Sequence, residues 1–172
     1  DEYLTLGPVL SDNFKVIGID LPNHGQSDSS KHELNADEYA DSILEVMDNI
    51  GVDEFHFLGQ HGGAAIGINL GIRYPERIGK LILSGAGREE NLTEEQIQAL
   101  IDRPMTRDLP VDVDGEFLDK TWDVYKNMSA SSTSPEVTFR PFLTSLINRQ
   151  RKFDMHYAIF RYQPNLDDLD KE

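Results

Sequence analysis

Cysteine is missing from all 172 residues. Its absence removes disulfides, thiol catalysis and thiolate metal sites, and it fits a cytoplasmic protein. Long hydrophobic runs are missing too. No stretch approaches the roughly 18 apolar residues that a membrane helix needs, so no membrane partner is expected. The opening Asp1-Glu2-Tyr3 has neither the basic start nor the apolar stretch of a secretory leader. Basic residues are scarce: sixteen Lys and Arg stand against 31 Asp and Glu, a formal charge of −15. Such a surface repels phosphate backbones and anionic membranes, so nucleic acid is not an expected partner. The charge reads as a device for solubility, and Asp167-Asp168-Leu169-Asp170-Lys171-Glu172 reads as a solvated tail. No two histidines stand at metal-ligand spacing on one helix. No Lys-Ser/Thr pair follows Gly62-Gly63 to complete a phosphate loop. Neither a metal nor a cofactor is expected.

What is present suits one globular domain with a real core. Phe14 to Asp20 reads as a short buried strand, closed by the turn formers of Leu21 to Asp28. Asn35 to Ile50 has helical spacing, with Tyr39, Ile43, Val46 and Ile50 as its apolar stripe and Gly51 as a left-handed cap. Phe55 to Leu58 is a second expected strand. Ala64 to Tyr74 is a helix whose small residues, Ala64, Gly67 and Gly71, permit close approach to a sheet before Pro75 stops it. Lys80 to Ser84 is a third strand. Strands alternating with helices predict a parallel sheet with helices on both faces.

The character changes after Gly87. Thr93 and Gln96 predict a capping box for a helix through about Ile101. Glu116 to Met128 is a second helix, Ser129 to Pro135 a polar loop, and Phe142 to Tyr162 a third helix. The predicted organisation is a partial α/β core over residues 1–87 and a helical region over 88–172. Three parallel strands leave two bare edges, so the chain is expected to be a piece of a larger protein or to have its edges covered, pairing through sheet edges included.

Gly59-Gln60-His61-Gly62-Gly63 has the form of a nucleophile elbow, Gly-x-Ser-x-Gly, with histidine in place of serine. Two further matches surround it. Asp20-Leu21-Pro22-Asn23-His24-Gly25-Gln26-Ser27-Asp28 is similar to the loop Asp-x-Pro-Gly-x-Gly-x-Ser-Asp, with Asn23 for a glycine. Arg73-Tyr74-Pro75-Glu76-Arg77 and the strand after it follow the elbow helix at the expected spacing. On these motifs the chain resembles the α/β-hydrolase-fold superfamily, in its lidded esterase and haloalkane-dehalogenase-like branch. The resemblance covers residues 1 to about 87, and the helical remainder resembles the inserted lid (cap) by position only.

The resemblance implies a hydrolase for a small apolar ester, halide or related substrate, with His61 at the nucleophile position. It implies that Gly62 offers its backbone N–H to an oxyanion, the equal alternative being a glycine that serves only the turn. Gln60, beside the nucleophile, and Trp122 and Tyr125 are candidates for lining a pocket. The family's acid and general-base histidine follow the lid, and its first oxyanion donor precedes Asp1. Where some relatives carry the acid after the third strand, this chain reads Ser84-Gly85-Ala86-Gly87. No triad partner is therefore carried over. Neutral imidazole has its own lone pair near pH 7, so His61 is a candidate nucleophile or base. The alternatives are a non-hydrolytic ligand-binding protein of the same fold, and cofactor-free lyase or oxygenase chemistry with a histidine base. For Trp122 and Tyr125 the alternative is packing, the usual role of aromatics at helical spacing. His24, His32, His56 and His156 read as turn, exposed, buried or half-buried, and aromatic-stripe residues respectively.

Overall fold

The computed structural model describes residues 3, 5–85, 92–102, 108–149, 153 and 155–170. In chain order the elements are α1 (Leu6–Leu10), α2 (Ala36–Asn49), β1 (Phe55–Gln60), α3 (Gly62–Arg73) and β2 (Ile78–Ser84). They continue with α4 (Glu94–Ile101), α5 (Glu116–Met128), α6 (Pro135–Asn148) and α7 (Met155–Arg161). The chain forms two compact units. One comprises Leu21–Asn23, Ser27–Arg103 and Lys152–Glu172. The other comprises Asp1–Asp20, His24–Gln26 and Pro104–Arg151. The domain boundary expected at residue 87 lies outside the described residues.

The first unit is built on β1 and β2, which pair in parallel with Phe57 opposite Leu81 and Gln60 opposite Ser84. Parallel neighbours need a crossover, and α3 supplies it. It packs on one face of the pair through its glycines. A side chain at Gly67 would strike Phe57 and Leu83, and one at Gly71 would strike Leu81 and Leu169. Ala64, Ile66, Ile68 and Leu70 of α3 are buried. Each large one contributes about 1.5–3 kcal/mol on leaving water. On the opposite face Ile82 stands 54% exposed, so helical cover is seen on one side of these strands among the described residues.

α2 begins at Asn35, whose side chain accepts from Glu38 N at 3.0 Å while the Glu38 carboxylate accepts from Asn35 N at 2.9 Å. This reciprocal cap satisfies two donors that a helix start otherwise leaves unpaired. The buried stripe is Ala36, Tyr39, Ala40, Ile43, Leu44 and Met47. Val46 and Ile50, expected in it, are exposed. The face that meets α3 follows the i, i+3, i+4, i+7 rows from Ala36, and Val46 and Ile50 fall to its flank. Gly51 does adopt the left-handed cap, φ 70°.

The end of α3 is clamped to α2. Arg73 Nη1 donates to Asp41 at 2.8 Å, Tyr74 donates to the same carboxylate at 2.7 Å, and the guanidinium lies 4.8 Å from the Tyr74 ring centre. Asn69, almost fully buried, donates to Asp37 at 2.7 Å. Pro75 opens a 3-10 turn, Pro75–Arg77. Arg77 then reaches Asp48 at 2.6 Å and the Val52 carbonyl at 3.1 Å. The Arg73-to-Arg77 run is thus a tie between helices.

Three expectations are corrected. No strand is assigned over Phe14–Asp20. Ile17 and Ile19 are half-buried while Val16, Gly18 and Asp20 are exposed, the alternation of an extended segment. A strand exists only where a neighbour supplies the ladder, whatever the side-chain propensity; the one sheet found among the described residues is β1–β2. The helix expected over Phe142–Tyr162 is two helices. Ser134 and Pro135 start α6 seven residues early, because proline at the first helical position costs no hydrogen bond. The tail is not wholly solvated either: Leu166–Asp170 forms a 3-10 turn, and Leu169 packs over Gly71.

In the second unit Asp112 caps α5, its carboxylate accepting from Glu116 N at 2.9 Å and Phe117 N at 3.0 Å. Desolvation pushes this carboxyl up, but those backbone donors outweigh it and hold the group below the usual range. α5 and α6 meet through rings. Trp122 and Tyr125 lie edge-on to Phe142, with centres 5.3 and 6.5 Å away. Arg149 lies 4.8 Å from the Phe117 ring centre and donates to the Leu109 carbonyl.

Candidate active site

The turn from β1 into α3 holds the candidate residues His61 and Gly62. His61 N donates to Ser84 O at 2.9 Å, which carries the parallel ladder one residue past β1. The chain then reverses at once: the His61 carbonyl accepts from Ala64 N at 3.0 Å and Ala65 N at 3.3 Å, the first bonds of α3. Meeting both demands leaves His61 at φ 48°, ψ −112°. Such a conformation costs a non-glycine residue about 1–3 kcal/mol. The surrounding structure enforces it, and its product is an imidazole left exposed at the head of the helix.

The neighbouring glycines explain why the turn closes. A Cβ on Gly59 would stand 2.3 Å from the Gly63 carbonyl oxygen and 2.8 Å from Ala64 N. Strand end and helix start therefore touch backbone to backbone, and only glycine fits. Gly63 differs: a Cβ there meets nothing within 4 Å. Gly85, at φ 65°, lies against the imidazole, with its Cβ direction 3.2 Å from His61 Nδ1. Gly62 is the first residue of α3, so its N–H has no acceptor within the helix. The α3 dipole adds partial positive charge there.

The expected site residues separate as follows. His61 and Gly62 lie at the turn. Gln60 ends β1, half-buried, opposite Ser84. Trp122 and Tyr125 belong to the other unit, where both pack on Phe142. His56, expected buried or half-buried, is exposed on β1, while His156 keeps its place in the aromatic stripe, its ring centre 5.9 Å from that of Phe160, but is exposed on α7. Alternate residues of a strand face opposite ways, and α7 turns Ala158 inward instead. His32 lies on the surface, 2.7 Å from Glu38. Donation from the Asn35 backbone, then from His32, holds the Glu38 carboxyl below its usual range.

Three residues of the same unit had little sequence signal. Met155 and Ile159 of α7 cover Gly62: a Cβ on that glycine would stand 2.5 Å from Met155 Cε and 2.6 Å from Ile159 Cδ1. Their i, i+4 spacing marks one helix face, but nothing local says what it meets. Asn23 is 2% exposed at φ 67°. Its amide donates to Ser30 Oγ at 2.9 Å, and its Oδ1 accepts from Ser30 N at 2.8 Å. Asparagine tolerates the left-handed region, so it can stand for glycine while its side chain holds the loop. In the other unit Asp20 accepts from Gln26 N at 2.9 Å, and a side chain on Gly25 would strike that carboxylate.

Among the described residues no group of three His, Cys, Asp or Glu is placed to hold a metal, and no helix is long and apolar enough to cross a membrane. Two shallow concave surfaces flank α2, one including Asp41, Asp48 and Tyr74 and the other Ser30, Leu34 and Glu45. Neither includes His61.

Comparison with known proteins places the chain. The family profile described as alpha/beta hydrolase fold matches residues 1–139. A 2-hydroxy-6-oxo-6-phenylhexa-2,4-dienoate hydrolase from Burkholderia cepacia is 35% identical over 86 residues, 49% of this chain and 30% of that protein. The dihydrolipoyllysine-residue acetyltransferase component of the acetoin cleaving system of Pseudomonas putida is 27% identical over 102 residues, 59% of this chain and 28% of that protein. The crystal structure of a hydrolase from Pseudomonas aeruginosa PA01 superposes with a TM-score of 0.61 at 21% identity, covering 92% of this chain and 57% of that one. The chain thus corresponds to little more than half of that structure, and its matches to the curated relatives take in under a third of their length.

Proposed function

The chain belongs to the α/β-hydrolase fold family, and on that premise we propose that it carries the nucleophile end of a hydrolase for a small, largely apolar acyl compound, with His61 as the attacking group. The observation that carries this is the backbone of His61. A strained residue that presents its side chain at the head of a helix, beside a helix-first N–H, is the geometry an acyl-transfer nucleophile uses. A relative with hydrolase in its name supports the reaction class. The division into a core through residue 87 and a helical cap after it is part of the same proposal.

The steps balance without another cofactor. A neutral imidazole nitrogen of His61 attacks the carbonyl carbon, and the carbonyl π electrons move to oxygen. The Gly62 N–H donates to that oxygen, which matters most where charge develops. Collapse expels the alkoxide, which takes up the proton released by the other imidazole nitrogen and leaves as the alcohol, and a neutral acyl-imidazole remains. Water adds to the acyl carbon, the acid departs, and imidazole returns to its neutral form. A carbon–halogen substrate fits less well: displacement would leave an N-alkyl imidazolium, which water does not reopen.

The test uses the intact protein with short p-nitrophenyl esters and compares His61→Ala and His61→Ser. Loss of about 100-fold or more in His61→Ala is expected, with an acyl-histidine mass adduct in the parent protein. Equal rates in all three proteins overturn the proposal. A second reading, the same fold working without hydrolysis, draws on the relative named as an acetyltransferase component. Hydrolysis that appears only in His61→Ser favours it.

A further inference from the structure

α7 lies in the same unit as the turn and packs against α2, α3 and α4. Its last residue, Arg161, pairs with Glu33. Ala158 is buried, which sets the inward face. That face brings Met155 and Ile159, one turn apart, over Gly62 at the separations given above. Two apolar side chains from a distant part of the chain therefore close on Gly62, the first residue of α3. Gly62 has no side chain of its own to define a wall. The wall on that side is supplied by α7.

We propose that Met155 and Ile159 form an apolar wall beside His61 that sets the length of the acyl group the site accepts. The inference rests on the hydrolase reading of His61 and narrows the substrate class of the same site to acyl chains whose length this wall limits. Met155 is the adjustable member, because its unbranched thioether has three rotatable bonds and fills irregular gaps. Ile159 is β-branched and holds one rotamer in a helix. A pocket wall of this kind discriminates by about 10- to 200-fold per methylene gained or lost.

The experiment compares parent, Met155→Ala, Met155→Phe and Ile159→Val in the intact protein. Turnover of p-nitrophenyl acetate, butyrate and octanoate is measured beside calorimetric binding of n-alkyl trifluoromethyl ketones of three to eight carbons. The expected result is a rise of at least about tenfold in the octanoate-to-acetate ratio of kcat/KM for Met155→Ala and a fall for Met155→Phe. Ketone affinities should follow the same order. Two substitutions that move the profile in opposite directions cannot be explained by misfolding. Turnover with the same chain-length profile in every variant overturns this inference and leaves the hydrolase reading standing. Neither turnover nor ketone binding in any variant overturns both.

Discussion

The unit that carries the His61 turn and the unit built on α5 and α6 are held together by different means. In the first, apolar side chains from α2, α3, α4 and α7 are removed from water, with Tyr39, Ile66 and Leu70 fully enclosed. In the second, the buried side chains among the described residues are Thr121 and Thr138, each spent on a local hydrogen bond. Most large exposed apolar residues are there too, including Met128 at 77% and Ile147 at 64%. Rings and the Arg149 contacts, rather than a core, join its helices. The rigid partner is the one that must hold a strained residue in place. Strain at His61 persists only because packing around it is over-determined, and among its described residues the α5–α6 unit has no non-glycine residue at positive φ to enforce.

Core deletions should break the contrast most plainly. Leu70→Ala is expected to cost about 2–5 kcal/mol, and Leu143→Ala on α6 about 0.5 kcal/mol or less, both read by urea denaturation of the intact protein. A large loss for Leu143→Ala would show that the exposed α6 face has a partner in solution. At the turn, Gly59→Ala should destabilise by about 1–3 kcal/mol because its methyl meets backbone. Gly63→Ala, which meets nothing, should be neutral or stabilising by up to about 1 kcal/mol. Equal effects at the two glycines would mean that the backbone contact at Gly59 is not there. The smallest effect concerns Asp41. Desolvation raises its carboxyl, but hydrogen bonds from Tyr74 and Arg73 outweigh this and hold it below the ordinary value. A lowered folded pKa contributes stability above the unfolded value, near pH 4, that is lost as pH falls through the folded one. Asp41→Asn should therefore remove a few tenths of a kcal/mol above about pH 4 and flatten the acid limb, solvent screening keeping the effect small.

Where local chemistry decides, the sequence was readable. The Thr93–Gln96 box caps α4, α5 runs Glu116–Met128 as its periodicity predicts, and the glycine-punctuated turn lies between strand and helix as its motif requires. What was not readable depends on distant partners. Val16 to Ile19 has every local feature of a strand, but a ladder neighbour is not a local property. Val46 and Ile50 are as apolar as Leu44 and Met47, and only the position of α3 separates inside from outside. The cover over Gly62 comes from residues more than 90 positions away, and no spacing in the chain announces it. Asn23 looked like a departure from a glycine pattern; the structure shows that it keeps the backbone angle and adds a buried amide.

The backbone at residue 61 has one more consequence. Its angles are imposed by Gly59, by the bond to Ser84 and by the first bonds of α3, none of which involves the side chain. Position 61 is therefore a socket. Unbranched side chains can be exchanged there while the turn stays the same, whereas valine, isoleucine or threonine would meet the worst of a sterically poor region. A protein with such a socket can trade one functional group for another by single substitutions and keep its fold. For this chain, histidine at that position leaves the architecture of the turn intact.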